Sequence, residues 1–187
     1  MPKIEADLEQ AQGRQVLPDN TWHHMAIAGL PEVKKSKGNE STGARAGNPF
    51  AAVNLEVTEG DYKGVRVFGY NLMLGGTDKN GNPMNISRFV EFLDCLAADG
   101  VAWECGGCKA SGDRRFRRGE KGTKDAGRYF CPDCGESKRF VTNTDDWQGH
   151  RLNVLVKVGK FFNSDEDRNE VVRVTPYGEI VSVDQAA

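Results

Sequence analysis

Four of the five cysteines fall into two pairs, Cys105-Gly-Gly-Cys108 and Cys131-Pro-Asp-Cys134, separated by the 22 residues from Lys109 to Phe130. Two C-x-x-C turns each offer two sulfurs to one tetrahedral ion, and glycines let backbone amides turn toward the thiolates. The expected centre is one Zn2+ held by Cys105, Cys108, Cys131 and Cys134 in a rubredoxin-like pair of knuckles. The second of these, Phe130-Cys-Pro-Asp-Cys-Gly135, reads as a zinc-ribbon knuckle. Rubredoxin-type iron takes the same four ligands and is the alternative occupant. Four thiolates leave no open coordination position, so the site is expected to be structural. A thioredoxin-like redox motif fits two pairs poorly, and disulfides are disfavoured in the intracellular setting expected for this chain. Cys95 has no partner and is expected to pack within a helix.

The residues around the cysteines are basic. Between Val101 and Thr142 there are ten lysines and arginines against six acids, so this segment is +4 while the whole chain is −2 and the remainder −6. Four thiolates with Zn2+ reduce the segment to about +2. The run Arg114, Arg115, Phe116, Arg117, Arg118 interleaves a ring with cations, the pattern suited to a nucleic-acid strand. Catalytic chemistry is less well supported. Asp145-Asp146 and Asp165-Glu166-Asp167 fall in expected loops, whereas Mg2+-dependent nuclease sites need carboxylates on rigid elements. His23, His24 and His150 have no evident nucleophile nearby. The expectation is a protein without enzymatic activity.

The elements that must position these residues follow from hydrophobic period and turn residues. Twenty-two glycines scattered between short apolar runs favour a β-rich fold. Trp22 to Val33 reads as a first strand, bent or bulged at Gly29 and Pro31. Lys34 to Pro49 is a Gly/Ser-rich basic loop. Phe50 to Thr58 alternates, with Ala51, Val53, Leu55 and Val57 on one face, and Val65 to Leu74 is a third strand with Arg66, Phe68 and Tyr70 turned outward. Ile86, Phe89, Val90, Leu93, Leu96 and Ala97 then follow a helical period, so residues 86–98 form an amphipathic helix, capped by Asn85 or Ser87 and ended by Gly100. Strand alternation resumes at His150 to Val158. Gly159 to Asn169 reads as a loop, Glu170 to Thr175 as a fifth strand, and Glu179 to Val183 as an added edge strand.

Three strands, one helix and two strands is the order of an OB-fold, a five-stranded Greek-key barrel. The expected architecture is therefore mainly β: a flexible N-terminal arm over 1–20, an OB-fold domain over 21–100 and 143–187, and an inserted four-cysteine zinc ribbon over 101–142. OB barrels bind single strands across strands two and three and the flanking loops, with rings for bases and cations for phosphates. The candidate contacts are Lys34, Lys35, Lys37 and Arg45 in the first loop, Tyr62, Arg66, Phe68 and Tyr70 around the third strand, and Lys160, Phe161 and Phe162 in the last loop. The acids Asp165 to Asp167 beside them would repel phosphate. No apolar run approaches the ~20 residues that span a bilayer, and Met1 to Gln15 lacks the apolar core of a secretion signal, so no membrane association and an intracellular location are expected.

The stretches Leu17-Pro-Asp-Asn-Thr-Trp22, Asn48-Pro-Phe50, Val57-Thr-Glu-Gly-Asp-Tyr-Lys-Gly64 and Arg168-Asn-Glu-Val-Val172 resemble a group of bacteriophage single-stranded-DNA-binding proteins first grouped as a domain of unknown function. The resemblance spans most of 17–100 and 147–176. It implies an OB-fold, sequence-independent binding of single-stranded DNA in phage replication or recombination, and the cytoplasm of the infected bacterium as location. It does not extend to residues 101–142, and Val181-Ser-Val-Asp-Gln-Ala-Ala187 is not the acidic partner-recruiting tip of bacterial single-strand binders. The competing expectation is a protein-interaction module in which the knuckles grip a replication or host-defence protein, or mediate self-association.

Overall fold

The computed structural model describes residues 15–37, 46–126, 128–136, 140–160 and 165–178. The remaining parts of the expected arm and the C-terminal edge strand, together with Arg45, Phe161 and Phe162, lie outside the described residues. The fold is mainly β. In chain order the long elements are β1 (Thr21–Ile27), β2 (Glu32–Lys35), β3 (Pro49–Val57), β4 (Arg66–Met73) and α1 (Ser87–Ala98). The short strands β5 (Trp103–Cys105), β6 (Ser111–Gly112), β7 (Arg117–Arg118), β8 (Tyr129–Phe130) and β9 (Phe140–Val141) follow, then β10 (Arg151–Lys160) and β11 (Asp167–Pro176).

The long strands make one antiparallel sheet in the order β11-β10-β1-β3-β2, with β4 paired to the opposite edge of β3. β1 and β2 run along the same edge of β3, Ile27 opposite Leu55 and Glu32 opposite Ala52. They are the single bent strand expected from Trp22 to Val33, broken at Gly29 (φ +77°) and Pro31. The expected loop over 159–169 is shorter than read, because β10 and β11 continue their ladder to Lys160 opposite Asp167.

One face of the sheet carries the core. Met25, Ile27, Ala51, Val53, Leu55, Val57, Leu152, Val154 and Val156 are all buried there, as period-two alternation on a half-covered sheet requires. α1 covers that face with Phe92, Leu93 and Leu96, each fully buried and each worth ~1.5–3 kcal/mol of transfer free energy. The Asn85 side chain accepts the Ser87 N–H at 2.8 Å. The helix ends in a Schellman turn, with Val101 N–H on the Leu96 carbonyl at 3.0 Å and Gly100 at φ +100°.

The sheet does not close into the expected five-stranded barrel. β4 and β11 face each other across a groove of about 290 Å³ lined by Val67–Asn71, Arg88 and Arg168–Val171, without a backbone ladder between them. The seam is held by side chains instead. Leu17, 1% exposed, enters the core there, and the Asn169 amide takes both of its backbone groups, at 2.9 and 3.1 Å. Residues 15–20 are thus fixed against the sheet, and Asp19 accepts the Val158 N–H at 2.8 Å. No helix among the described residues is long and apolar enough to cross a membrane.

Candidate metal centre and nucleic-acid interface

The four cysteines lie on two turns built alike. Cys105 closes β5, and its N–H donates to the Ala110 carbonyl at 2.9 Å while its carbonyl accepts Lys109 N–H at 2.9 Å. Cys131, just after β8, repeats both bonds with Glu136 and Gly135, each at 3.0 Å. The residue after the second cysteine of each turn is left-handed, Lys109 at φ +63° and Gly135 at φ +69°. Gly107 also directs its N–H at the Cys105 sulfur, 3.4 Å away.

These turns bring all four sulfurs within 4.8 Å of one another. Cys105 Sγ lies 3.9 Å from Cys134 Sγ, and Cys108 Sγ lies 3.8 Å from Cys131 Sγ. A tetrahedral ion with metal–sulfur bonds of ~2.3 Å sets its ligands about 3.8 Å apart, so the cluster has the dimensions of a metal site. The N–H groups of Cys108 and Gly107 hold the Cys105 thiol down, to about 7, against an opposing push from burial, whereas burial pushes the Cys131 thiol up. Cys105 is thus the readier of the two to shed its proton to an ion. Cys95 is buried on α1, its thiol pushed to about 12 by burial and by the adjacent Asp94 carboxylate, as a packing residue.

The basic run beside the cysteines is a strap that ties the knuckles to α1, and not the free basic segment expected. Phe116, 5% exposed, stacks on Trp103 with ring centres 4.1 Å apart and meets Phe140 edge-on at 4.5 Å. Its N–H donates to Asp94 Oδ1 at 2.7 Å, and the Arg115 guanidinium donates to Asp94 Oδ2 at 2.7 and 2.9 Å. Arg114 pairs with Asp133 inside the second knuckle, and its carbonyl accepts the Trp103 indole N–H at 2.6 Å. Arg118 reaches Glu91 on α1 at 3.6 Å. Phe116 offers no face to a base, and Arg114 and Arg115 are engaged with carboxylates; Arg117 alone of the run's four arginines has no carboxylate partner among the described residues.

Asp94 escaped the sequence reading although a signal existed. In a helix its i−4 and i+3 neighbours are Val90 and Ala97, both on the apolar stripe, where a carboxylate needs a partner.

The sheet candidates are likewise sorted by the structure. Phe68 on β4 is 56% exposed, and Arg66 beside it pairs with Glu56 at 2.6 Å. Tyr70 is not on that outer face. The pairing shifts from Leu55↔Val67 to Val53↔Tyr70, leaving Phe68 and Gly69 as a bulge opposite Asn54. Gly69 adopts φ +71°, and its N–H is taken by the Asn54 side chain at 3.2 Å. The extra residue inverts the alternation, so Tyr70 points inward with Leu72, its ring 5.8 Å from Phe92, and burial pushes its hydroxyl up to about 12. Tyr62 is half-buried, edge-on to His23 at 5.7 Å. Lys34, Lys35 and Lys37 are exposed on and after β2, Lys34 in an ion pair with Glu32. Lys160 pairs with Asp167 at 2.7 Å.

Neither models of known protein families, nor characterised proteins, nor solved structures give a match to this chain.

Proposed function

We propose that this chain is a sequence-independent single-stranded-DNA-binding protein of OB type, braced by one structural Zn2+ on Cys105, Cys108, Cys131 and Cys134. The observation that carries the reading is the strand order. Taking β1 and β2 as one bent strand, the sheet runs β4, β3, β1, β10, β11, with the single long helix between β4 and β10, which is the order of an OB sheet opened along one seam. Phe68 stands exposed on β4, the third of these strands in chain order, where OB proteins stack bases. The sequence resemblance to phage single-strand binders supports the same reading, and with it a role in phage replication or recombination in the bacterial cytoplasm.

In this reading the sheet face around Phe68 supplies the ring, with Arg66 beside it held on Glu56, and the groove between β4 and β11 adds Arg88, an exposed cation. The strand is held by stacking and counterion release, neither of which reads sequence. Zinc is the occupant that suits a closed four-thiolate tetrahedron with no redox task, and it would hold the strap and both knuckles together. The reading is of a binding protein, not an enzyme. Asp145 and Asp146 lie in a 3-10 turn where Asn143 accepts the Asp145 N–H at 3.2 Å, and His150 is bonded to Asp99 at 3.1 Å.

Titration of labelled oligothymidylate and a matched duplex at low and moderate salt tests it. The single strand should bind with strongly salt-dependent affinity and the duplex weakly. Phe68→Ala should cost ~1–3 kcal/mol, a loss of about five- to 160-fold, with no change in melting temperature. Absence of any single-strand binding at low salt would refute the function. Metal analysis checks the ion: one zinc per chain and a colourless protein are expected, while the visible absorption of an iron–thiolate centre would overturn the assignment.

A further inference from the structure

Affinity for a polyanion comes from cations not already neutralised by the protein, because releasing phosphate counterions with a cation held on a carboxylate requires breaking that pair first. On the long sheet, Lys34, Arg66, Lys157 and Lys160 are on carboxylates, and Lys35 on β2 is an exposed cation without a carboxylate partner among the described residues. The two-stranded ribbon β7–β8 differs. Its connecting residues and strands present Arg117, Lys121, Lys124 and Arg128, all exposed. Of these only Arg128 has a carboxylate partner among the described residues, Asp125 at 2.8 Å, against which the other three stand unpaired.

The ribbon also has two distinct faces, as alternation along a strand dictates. Arg118 and Tyr129 are cross-strand partners on the inner face. Arg118 reaches Glu91 of α1, and Tyr129 packs on the core and on Phe116 at 6.2 Å. Arg117 and Phe130 are the next cross-strand pair and so belong to the outer face. There the guanidinium groups of Arg117 and Arg128 each lie 5.5 Å from the centre of the Phe130 ring. One ring thus orders two cations, of which Arg117 keeps its charge unneutralised while Arg128 is held on Asp125. Phe130 is joined directly to Cys131, so the knuckle fixes this layer to the rest of the molecule.

Resting on the single-strand reading above, we propose that the outer face of the β7–β8 ribbon is a second contact for single-stranded nucleic acid, separate from the sheet. Arg117, Lys121 and Lys124 take successive phosphates, and the Arg117–Phe130 layer offers a stacking surface to an unpaired base. The four-cysteine centre serves to fix this ribbon with its inner face against α1 and its outer face to solvent.

The experiment is the salt dependence of binding to a labelled oligothymidylate, measured for the native chain and for the triple variant Arg117→Gln/Lys121→Gln/Lys124→Gln. At ~0.7 per single-strand phosphate contact, the slope of log K against log salt should flatten by about 2, and affinity at low salt should fall at least ten-fold. The double variant Lys121→Gln/Lys124→Gln, confined to exposed positions between the strands, should flatten it by about 1.4. This variant decides the matter if the triple variant loses its metal or fails to fold. Unchanged slope and affinity in a variant that keeps one metal per chain overturns the ribbon contact and leaves the sheet reading standing. Failure of the native chain to bind at all overturns both.

Discussion

Asp94 is 1% exposed on the covered side of α1, and its two oxygens are taken by the Phe116 N–H and the Arg115 guanidinium. A carboxylate in that position is costly to bury and repays the cost only while both donors remain. Arg115 is 42% exposed, so solvent screens part of its attraction, and the backbone N–H, buried with Phe116, makes the more demanding bond. Asp94→Ala leaves that N–H without an acceptor and should cost ~3 kcal/mol, whereas Asp94→Asn keeps an acceptor oxygen and should cost ~1–2 kcal/mol. Urea unfolding of the metal-bound protein resolves the order, and an alanine variant as stable as the native chain would show that the strap is not anchored here. The residue scale is also where sequence reading misjudged the molecule. A run of four arginines around a phenylalanine has the composition of an exposed nucleic-acid patch, and composition does not reveal that its partners, Asp94, Glu91 and Asp133, come from α1 and the second knuckle.

Local elements were more legible than contacts across the chain. The strand over Pro49–Val57 and the helix over Ser87–Ala98 were visible as periods of two and of 3.6 because each buries a single face. The third strand was only half legible. A bulge adds one residue without any change in composition, so the faces read correctly up to Val67 and inversely from Tyr70, and Gly69 alone marked the place. The knuckles show the opposite case, in which spacing specified geometry in advance. Their shared backbone pattern carries a further consequence at the left-handed position that follows each pair. Glycine fills it in one turn and Lys109 in the other, and a side chain there costs ~1 kcal/mol. Lys109→Gly should therefore stabilise the metal-bound form by ~0.5–1 kcal/mol, less than the full strain because glycine loses more entropy on folding. Gly135→Ala should destabilise it by ~1 kcal/mol. Rates of metal transfer to a chromogenic chelator should rank Gly135→Ala fastest and Lys109→Gly slowest, and the reverse ranking would mean that the two turns are not equivalent.

At the scale of the whole molecule, two cores of unequal self-sufficiency share one helix. The sheet buries three long strands' worth of aliphatic side chains under α1, together with Trp147, and needs no metal to do so. Residues 101–142 bury mainly Val101, Trp103 and Phe116 with two cysteines, on five strands of two or three residues each. A segment near 40 residues does not support itself on so small a core. Structural zinc contributes ~10–16 kcal/mol in small finger peptides near neutral pH, several times what the Asp94 strap supplies, so the metal dominates the stability of this segment. Chelation should accordingly abolish hydrogen-exchange protection at Cys105, Lys109, Cys131 and Gly135, whose N–H groups are bonded only in the folded knuckles, while β1, β3 and β10 stay protected. Acid should act in the same direction. Metal binding requires thiolates, so protons compete with the ion: affinity must fall as pH drops, already above neutrality because burial raises the Cys131 thiol, and more steeply below the value of about 7 to which neighbouring N–H groups lower the Cys105 thiol. Loss of protection in β3 and β10 together with the knuckles would mean instead that sheet and insertion unfold as one unit, with α1 as the coupling element. Selective loss would leave the sheet as the independent body on which the metal-held ribbon is mounted, and single-strand binding by the stripped protein should then persist with a flatter salt dependence.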